Sequence, residues 1–88
     1  MSLYSVQISA GAEKQLAGID KSNLRRLRLA ILNLAEDPRP PGCRKLTGYD
    51  ELWRVRVGNY RVIYTIQDAR LLVLVTRVAH RGKAYDRI

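Results

Sequence analysis

Leu52-Trp53-Arg54-Val55-Arg56-Val57-Gly58-Asn59-Tyr60-Arg61-Val62-Ile63-Tyr64 decides the reading of this chain. Residues alternate on each side of Gly58-Asn59, a dipeptide suited to a tight turn with positive φ, so the stretch predicts a β-hairpin. With a two-residue turn, Val57 faces Tyr60, Arg56 faces Arg61, Val55 faces Val62 and Trp53 faces Tyr64. Cross-strand partners share a face, and so do alternate residues of one strand. One face therefore carries Trp53, Val55, Val57, Tyr60, Val62 and Tyr64, a surface fit for a core. The other carries Arg54, Arg56 and Arg61, with Ile63 beside them. Like charges at neighbouring cross-strand positions repel, so the arrangement calls for an anionic visitor.

Outward from the hairpin, Gln67–Arg70 reads as a second turn leading into Leu71–Ala79, LLVLVTRVA. That nearly unbroken apolar run fits a strand covered on both faces, hence a central one. Upstream, Arg44, Lys45 and Leu46 form a short extended piece, and Pro38, Pro40, Pro41 and Gly42 make a stiff loop. Leu24, Leu27, Ile31 and Leu34 give a helix from a cap at Asp20 or Ser22 to about Ala35. Leu29 and Leu32 lie off this stripe, as extra core or as a surface another protein covers. An earlier helix follows Ser9 with Ala12, Leu16 and Ile19 at helical spacing. Leu3–Ile8 is a short first strand, expected beside the central one. The predicted fold class is α+β: a small single domain over residues 1–88, with two N-terminal helices packed on a mostly antiparallel sheet. The order is β-α-α-β-β-β with a short C-terminal tail.

Composition narrows the function. The 88 residues carry 16 Lys/Arg and 8 Asp/Glu, a formal net charge of +8, with an ordinary apolar share of 47%. The charge is uneven: residues 1–42 hold six Lys/Arg against four Asp/Glu, net +2, and residues 43–88 hold ten against four, net +6. Such a field attracts polyanions. Cys43 is the only cysteine and His80 the only histidine, so a zinc site is not expected, nor is any other metal or cofactor. No stretch is apolar enough to span a membrane, and the start MSLYSVQIS lacks signal-peptide character; a cytoplasmic protein without a membrane partner is expected.

The residues able to do chemistry are Arg54, Arg56 and Arg61 of the hairpin and His80, Arg81, Lys83 and Tyr85 of the tail. Guanidinium groups bind phosphate bidentately and stay charged at any working pH. Clustered, they can stabilise extra charge at phosphorus without a metal. RNA brings its own nucleophile, the 2′-hydroxyl.

Lys45-Leu46-Thr47-Gly48, the run Trp53–Tyr64 and the ending Val78-Ala79-His80-Arg81 with Tyr85 together resemble the RelE/ParE toxin superfamily, in its RelE branch. The resemblance implies the toxin of a type II toxin–antitoxin system, with a cognate antitoxin that wraps the basic surface. It also implies a metal-independent endoribonuclease, an mRNA interferase that acts on messenger RNA in the ribosomal A site beside 16S rRNA and blocks translation. By position, Arg61 and Arg81 match the family's phosphate-stabilising arginines, Arg54 and Arg56 its paired basic strand residues, and Tyr85 its C-terminal tyrosine. Lys45, Arg77 and Lys83 join Arg54 and Arg56 as expected RNA contacts. The best-known RelE pattern has lysines at the positions of Arg54 and Arg56. Arginine cannot readily surrender a proton, so His80 becomes the expected general base. If the last strand is regular, His80 points away from the face of Arg77 and Arg81. The alternatives are a ParE-type toxin that binds DNA gyrase and a non-catalytic basic module that binds RNA or an acidic protein.

Overall fold

The structure, a computed structural model, describes residues 3–46, 48 and 51–81. The chain runs β1 (Ser5–Ile8), α1 (Ala10–Ala17), α2 (Lys21–Asn33), β2 (Arg44–Lys45), β3 (Leu52–Val57), β4 (Tyr60–Gln67) and β5 (Leu72–His80). A single 3₁₀ turn at Asp68–Arg70 links the last two strands. The sheet order is β1-β5-β4-β3-β2, parallel between β1 and β5 and antiparallel elsewhere. This is the expected α+β architecture, with the first strand beside the central one.

Both helices start where the sequence supplies an oxygen. Ser9 Oγ accepts the Ala12 N–H at 3.1 Å, and Asp20 accepts the Asn23 N–H at 3.2 Å, each satisfying a donor the first helical turn leaves unpaired. Ala12 and Leu16 of α1 and Leu27 and Ile31 of α2, with Leu34 just beyond it, are buried against Val62, Tyr64, Val73, Val75 and Val78. Leu29 and Leu32, off the stripe, are 57% and 64% exposed, which rules out the extra-core reading.

At the hairpin, Val57 pairs Tyr60 and Arg56 pairs Arg61, as the alternation predicts. Gly58 has φ +60, while Asn59 is not in the positive-φ region; glycine first is the pattern of a type II′ turn.

The central strand departs from simple alternation. Ile63 pairs Arg77 but Tyr64 pairs Val75, so Thr76 is an extra residue, a β-bulge. Its hydroxyl donates to the Ile63 carbonyl at 3.3 Å, and its own carbonyl accepts from Ser9 Oγ at 3.4 Å. The bulge keeps Val73, Val75 and Val78 on the helix side and turns Arg77 to the other. It also lies where β1 runs out, since β1 pairs β5 only as far as Val75. Past that point the Val78 N–H is taken by Gln15 Oε1 of α1 at 2.6 Å, so the central strand keeps its donor satisfied beyond its neighbour's end.

A polar cluster ties three chain segments together. Arg39, after α2, makes a two-pronged contact with Asp68 in the β4–β5 turn, at 2.9 and 3.3 Å. Tyr4, before β1, donates its hydroxyl to the same carboxylate at 2.5 Å. The Arg39 guanidinium also lies 5.0 Å from the centre of the Trp53 ring. The hydrogen bond from Arg39, and then that from Tyr4, hold the Asp68 carboxyl below its ordinary value of 3.8. A carboxyl lowered by folding contributes stability that is complete above its unfolded value and is lost as pH falls through the folded one. Asp68→Asn is therefore expected to lower the melting temperature at pH 6, with the difference from wild type closing as pH falls below 3.8. Thermal unfolding across pH 2–7 measures this; a difference that stays constant down to pH 2 would refute the ion-pair account.

Candidate RNA-binding face

The two helices pack on one face of the sheet, and among the described residues no helix covers the other, the open face. Cross-strand register arranges the open face in rows: Arg44, Arg54, Ile63 and Arg77 in one, and Arg56, Arg61 and Ala79 in the next. Arg81 follows β5 in step with Arg77 and Ala79, and its backbone N–H donates to the Asn59 carbonyl at 2.6 Å, fastening it beside the hairpin turn. Ile63 is only 1% exposed although, among the described residues, no helix covers its face. Its cross-strand neighbours are Arg54 and Arg77, and methylene stems of this kind shield apolar surface while the charged heads stay in water.

Several arginines thus share one surface. Among the described residues, the ion pairs are Arg28 with Glu13 and Arg39 with Asp68; Arg44, Arg54, Arg56 and Arg61 form none. Their charge is directed outward, available to a polyanion. Among the described residues no three His, Cys, Asp or Glu side chains group as metal ligands would.

The expected site residues do not all meet here. Arg54, Arg56, Arg61 and Arg77 do. Ala79 stands across from Arg61: the turn sets Gln67 opposite Leu72, which by plain counting would bring Val78 there, and the extra residue Thr76 moves the pairing on by one. Lys45 pairs Trp53, which lies on the helix side, so the ladder places it opposite the arginine face. Arg44 takes the position beside Arg54 instead. Arg44 was missed because two residues of strand give no alternation to read; knowing that Lys45 faces Trp53 would have been enough. Lys83 and Tyr85 lie outside the described residues.

His80 pairs Tyr60 on the helix side and is exposed, its ring edge-on to the tyrosine at 5.4 Å between centroids. Its Nδ1 lies 3.1 Å from the Arg81 carbonyl oxygen. A carbonyl oxygen only accepts, so Nδ1 carries the hydrogen of this contact and leaves the lone pair of the neutral ring on Nε2. Arg26 of α2 also reaches the hairpin tip: a Cβ built on Gly58 would lie 3.2 Å from its Nη1. Helical spacing gave no sign of this contact.

Comparison with known proteins accords with the geometry. The family model described as ParE toxin of type II toxin-antitoxin system, parDE, matches residues 6–85. The RelE1 protein of Methanocaldococcus jannaschii is 29% identical over 85 residues, covering 93% of this chain and 94% of its own length. RelE in the archaeal RelE–RelB complex from Pyrococcus horikoshii OT3 is similar in structure with a TM-score of 0.81 and 30% identity, over 93% of this chain and 99% of that one. A chain of the RelBE2 toxin–antitoxin complex of Mycobacterium tuberculosis gives 0.78 and 25%, over 89% and 98%. By sequence, by fold and by its open basic face, this chain belongs to the RelE/ParE superfamily of toxins of type II toxin–antitoxin systems.

Proposed function

We propose that this toxin is a ribosome-dependent endoribonuclease that cuts messenger RNA in the A site without a metal ion. The observation that carries the reading is the open sheet face with Arg54, Arg56, Arg61 and Arg77 in adjacent rows and Arg81 at its edge. In the reaction the 2′-hydroxyl oxygen attacks the adjacent phosphorus and the P–O5′ bond breaks. The 2′-oxygen loses its proton and the leaving 5′-oxygen gains one, giving a 2′,3′-cyclic phosphate and a 5′-hydroxyl. Arg61 and Arg81 neutralise the charge that builds on the phosphoryl oxygens, and Arg54 and Arg56 hold the backbone on either side. Tyr85 orients a base, and Arg77 and Lys83 add charge for messenger and 16S rRNA. A cognate antitoxin covers this basic face in the resting complex.

Arginine is a poor proton acceptor, so the general base is sought in His80, whose residue type titrates near neutrality. His80 lies at the rim of the sheet next to Arg81, and on the side away from Arg61. The proposal therefore requires a strand of RNA that passes over the hairpin edge. His80→Gln is expected to lower single-turnover cleavage about 10²-fold or more and to alter the dependence of the rate on pH. An unchanged profile and rate would eliminate His80 as the base.

The test of the function itself uses purified toxin and programmed ribosomes, with cuts mapped by primer extension. Cleavage within the A-site codon is expected. The match to the ParE model favours one second reading, inhibition of DNA gyrase. Intact message together with blocked supercoiling by gyrase would establish that reading in place of the first. Intact message with gyrase unaffected would leave a basic binding module.

A further inference from the structure

We infer that the groove beside β2 and β3 is an adjoining subsite for a further nucleotide of single-stranded RNA, with Arg44 as its phosphate-binding residue. The groove has a volume of about 460 Å³ and is lined by Pro41, Gly42, Arg44, Arg54, Val55 and Arg56. That is within the ~300–1,000 Å³ typical of small-molecule sites. Arg44 stands across from Arg54, and Arg56 is one same-face step further along β3.

The groove reaches beyond the place assigned to the scissile phosphate. Arg44 and Arg61 are two strands and one two-residue step apart, about 12 Å between Cα positions from standard strand spacings. A patch this wide spans more than one phosphate, and Arg44 lies at the end away from Arg61.

One wall is set before any ligand arrives. Pro38 is buried and its carbonyl accepts the Tyr64 hydroxyl at 2.8 Å. Arg39 is held by Asp68, and the Cys43 N–H closes onto the Pro40 carbonyl at 3.0 Å. Gly42, at φ +89, makes a turn that an L side chain rarely adopts. These contacts fix Pro41 and Gly42 opposite the arginines, so little ordering is left to be done on binding.

Chemistry selects the occupant. A single strand of RNA offers a phosphate and a flat base at each step. Guanidinium groups bind the first bidentately and stack on the second, and the proline ring is a further apolar surface for a base. An acidic peptide supplies charge but no repeating flat face.

The cleavage reading fixes only which nucleotide enters this subsite; binding is testable without it. A labelled single-stranded 12-mer with 2′-O-methyl riboses, which cannot be cut, is titrated by fluorescence anisotropy at several salt concentrations. Arg44→Ala is expected to weaken binding about tenfold and to reduce the slope of log K against log salt by about 0.7, one phosphate contact on a single strand. Lys14→Ala, an equal loss of charge on an exposed position of α1, is expected to leave the slope unchanged. Arg44→Lys should restore most of the slope but less of the affinity. An unaltered slope in Arg44→Ala, or competition by a Glu-rich peptide of equal charge as effective as by RNA, would overturn the subsite.

On the ribosome, a neutral methylphosphonate is placed at successive linkages around the A-site codon. One position should slow wild type and cost Arg44→Ala nothing further; fully additive losses at all positions would count against the assignment. If wild type cuts no message, the nuclease reading fails, and the anisotropy result alone decides Arg44.

Discussion

Arg61→Ala is expected to lower single-turnover cleavage of message on the ribosome by about 10²–10³-fold, the range for removing one preorganised donor from a developing oxyanion. Three features argue for so large an effect. Arg61 sits mid-sheet on β4, between Arg56 and Ala79, so its backbone is held by ladders on both sides. It is half-buried, and water competes with its hydrogen bonds less than at an exposed site. It has no ion pair among the described residues, so no carboxylate must be displaced first. Arg61→Lys keeps the charge but loses the planar fork, and is expected to recover only part of the rate. Neither change touches the helix-side core, and the melting temperature should move little. Near-wild-type cutting by a folded Arg61→Ala protein would reduce the arginine face to a docking surface.

Tyr64→Ala costs the fold about 3–5 kcal/mol, as for other buried aromatic truncations. For 88 residues the whole stability is expected to be about 4–13 kcal/mol, at ~0.05–0.15 kcal/mol per residue, so this variant stands near unfolding at room temperature. Tyr64 is among the largest fully buried side chains, and it joins two parts of the molecule. Its ring fills the space between sheet and helices, while its hydroxyl holds the Pro38 carbonyl of the loop that walls the groove. Burial pushes its phenol well above the ordinary tyrosine range, so it remains a donor at any working pH. Tyr64→Phe removes only the donor, at about 1–2 kcal/mol for the buried acceptor left unpaired. Urea denaturation separates the two variants. Equal losses would mean that the hydroxyl, and not the ring, carries the contribution.

Much of this was legible in the chain. The hairpin could be read to the residue because both strands alternate and Gly58 fixes the turn. The α2 stripe and the Ser9 cap were readable for the same reason, a clear period with a clear start; the α2 cap was narrowed to Asp20 or Ser22, and the structure uses Asp20. Legibility stopped where the pattern lacks a period. Leu71–Ala79 is apolar nearly throughout, so nothing in it marks Thr76 as supernumerary; the bulge comes from tertiary demands, with Ser9 and Gln15 closing on the strand where β1 ends. The two residues of β2 are too few to show a face, which hid Arg44 and misled on Lys45. Contacts distant in sequence, such as Arg26 over Gly58 or Tyr4 with Asp68, leave no local trace at all. The face of the site was therefore readable from one hairpin, whereas its breadth needed the fold.

Thr76 has one more consequence, for changes in chain length. Deleting almost any residue of a strand exchanges the faces of everything beyond it. Deleting Thr76 does the opposite: Val75 and Arg77 become neighbours, plain alternation is restored, and Val78, Arg77 and Arg81 keep their present sides. β5 thus tolerates a gap at the bulge, whereas removing Val78 instead would carry Arg77 or Arg81 to the wrong side. Shorter relatives of this strand need not have a different site; they can be the same surface built without the spare residue.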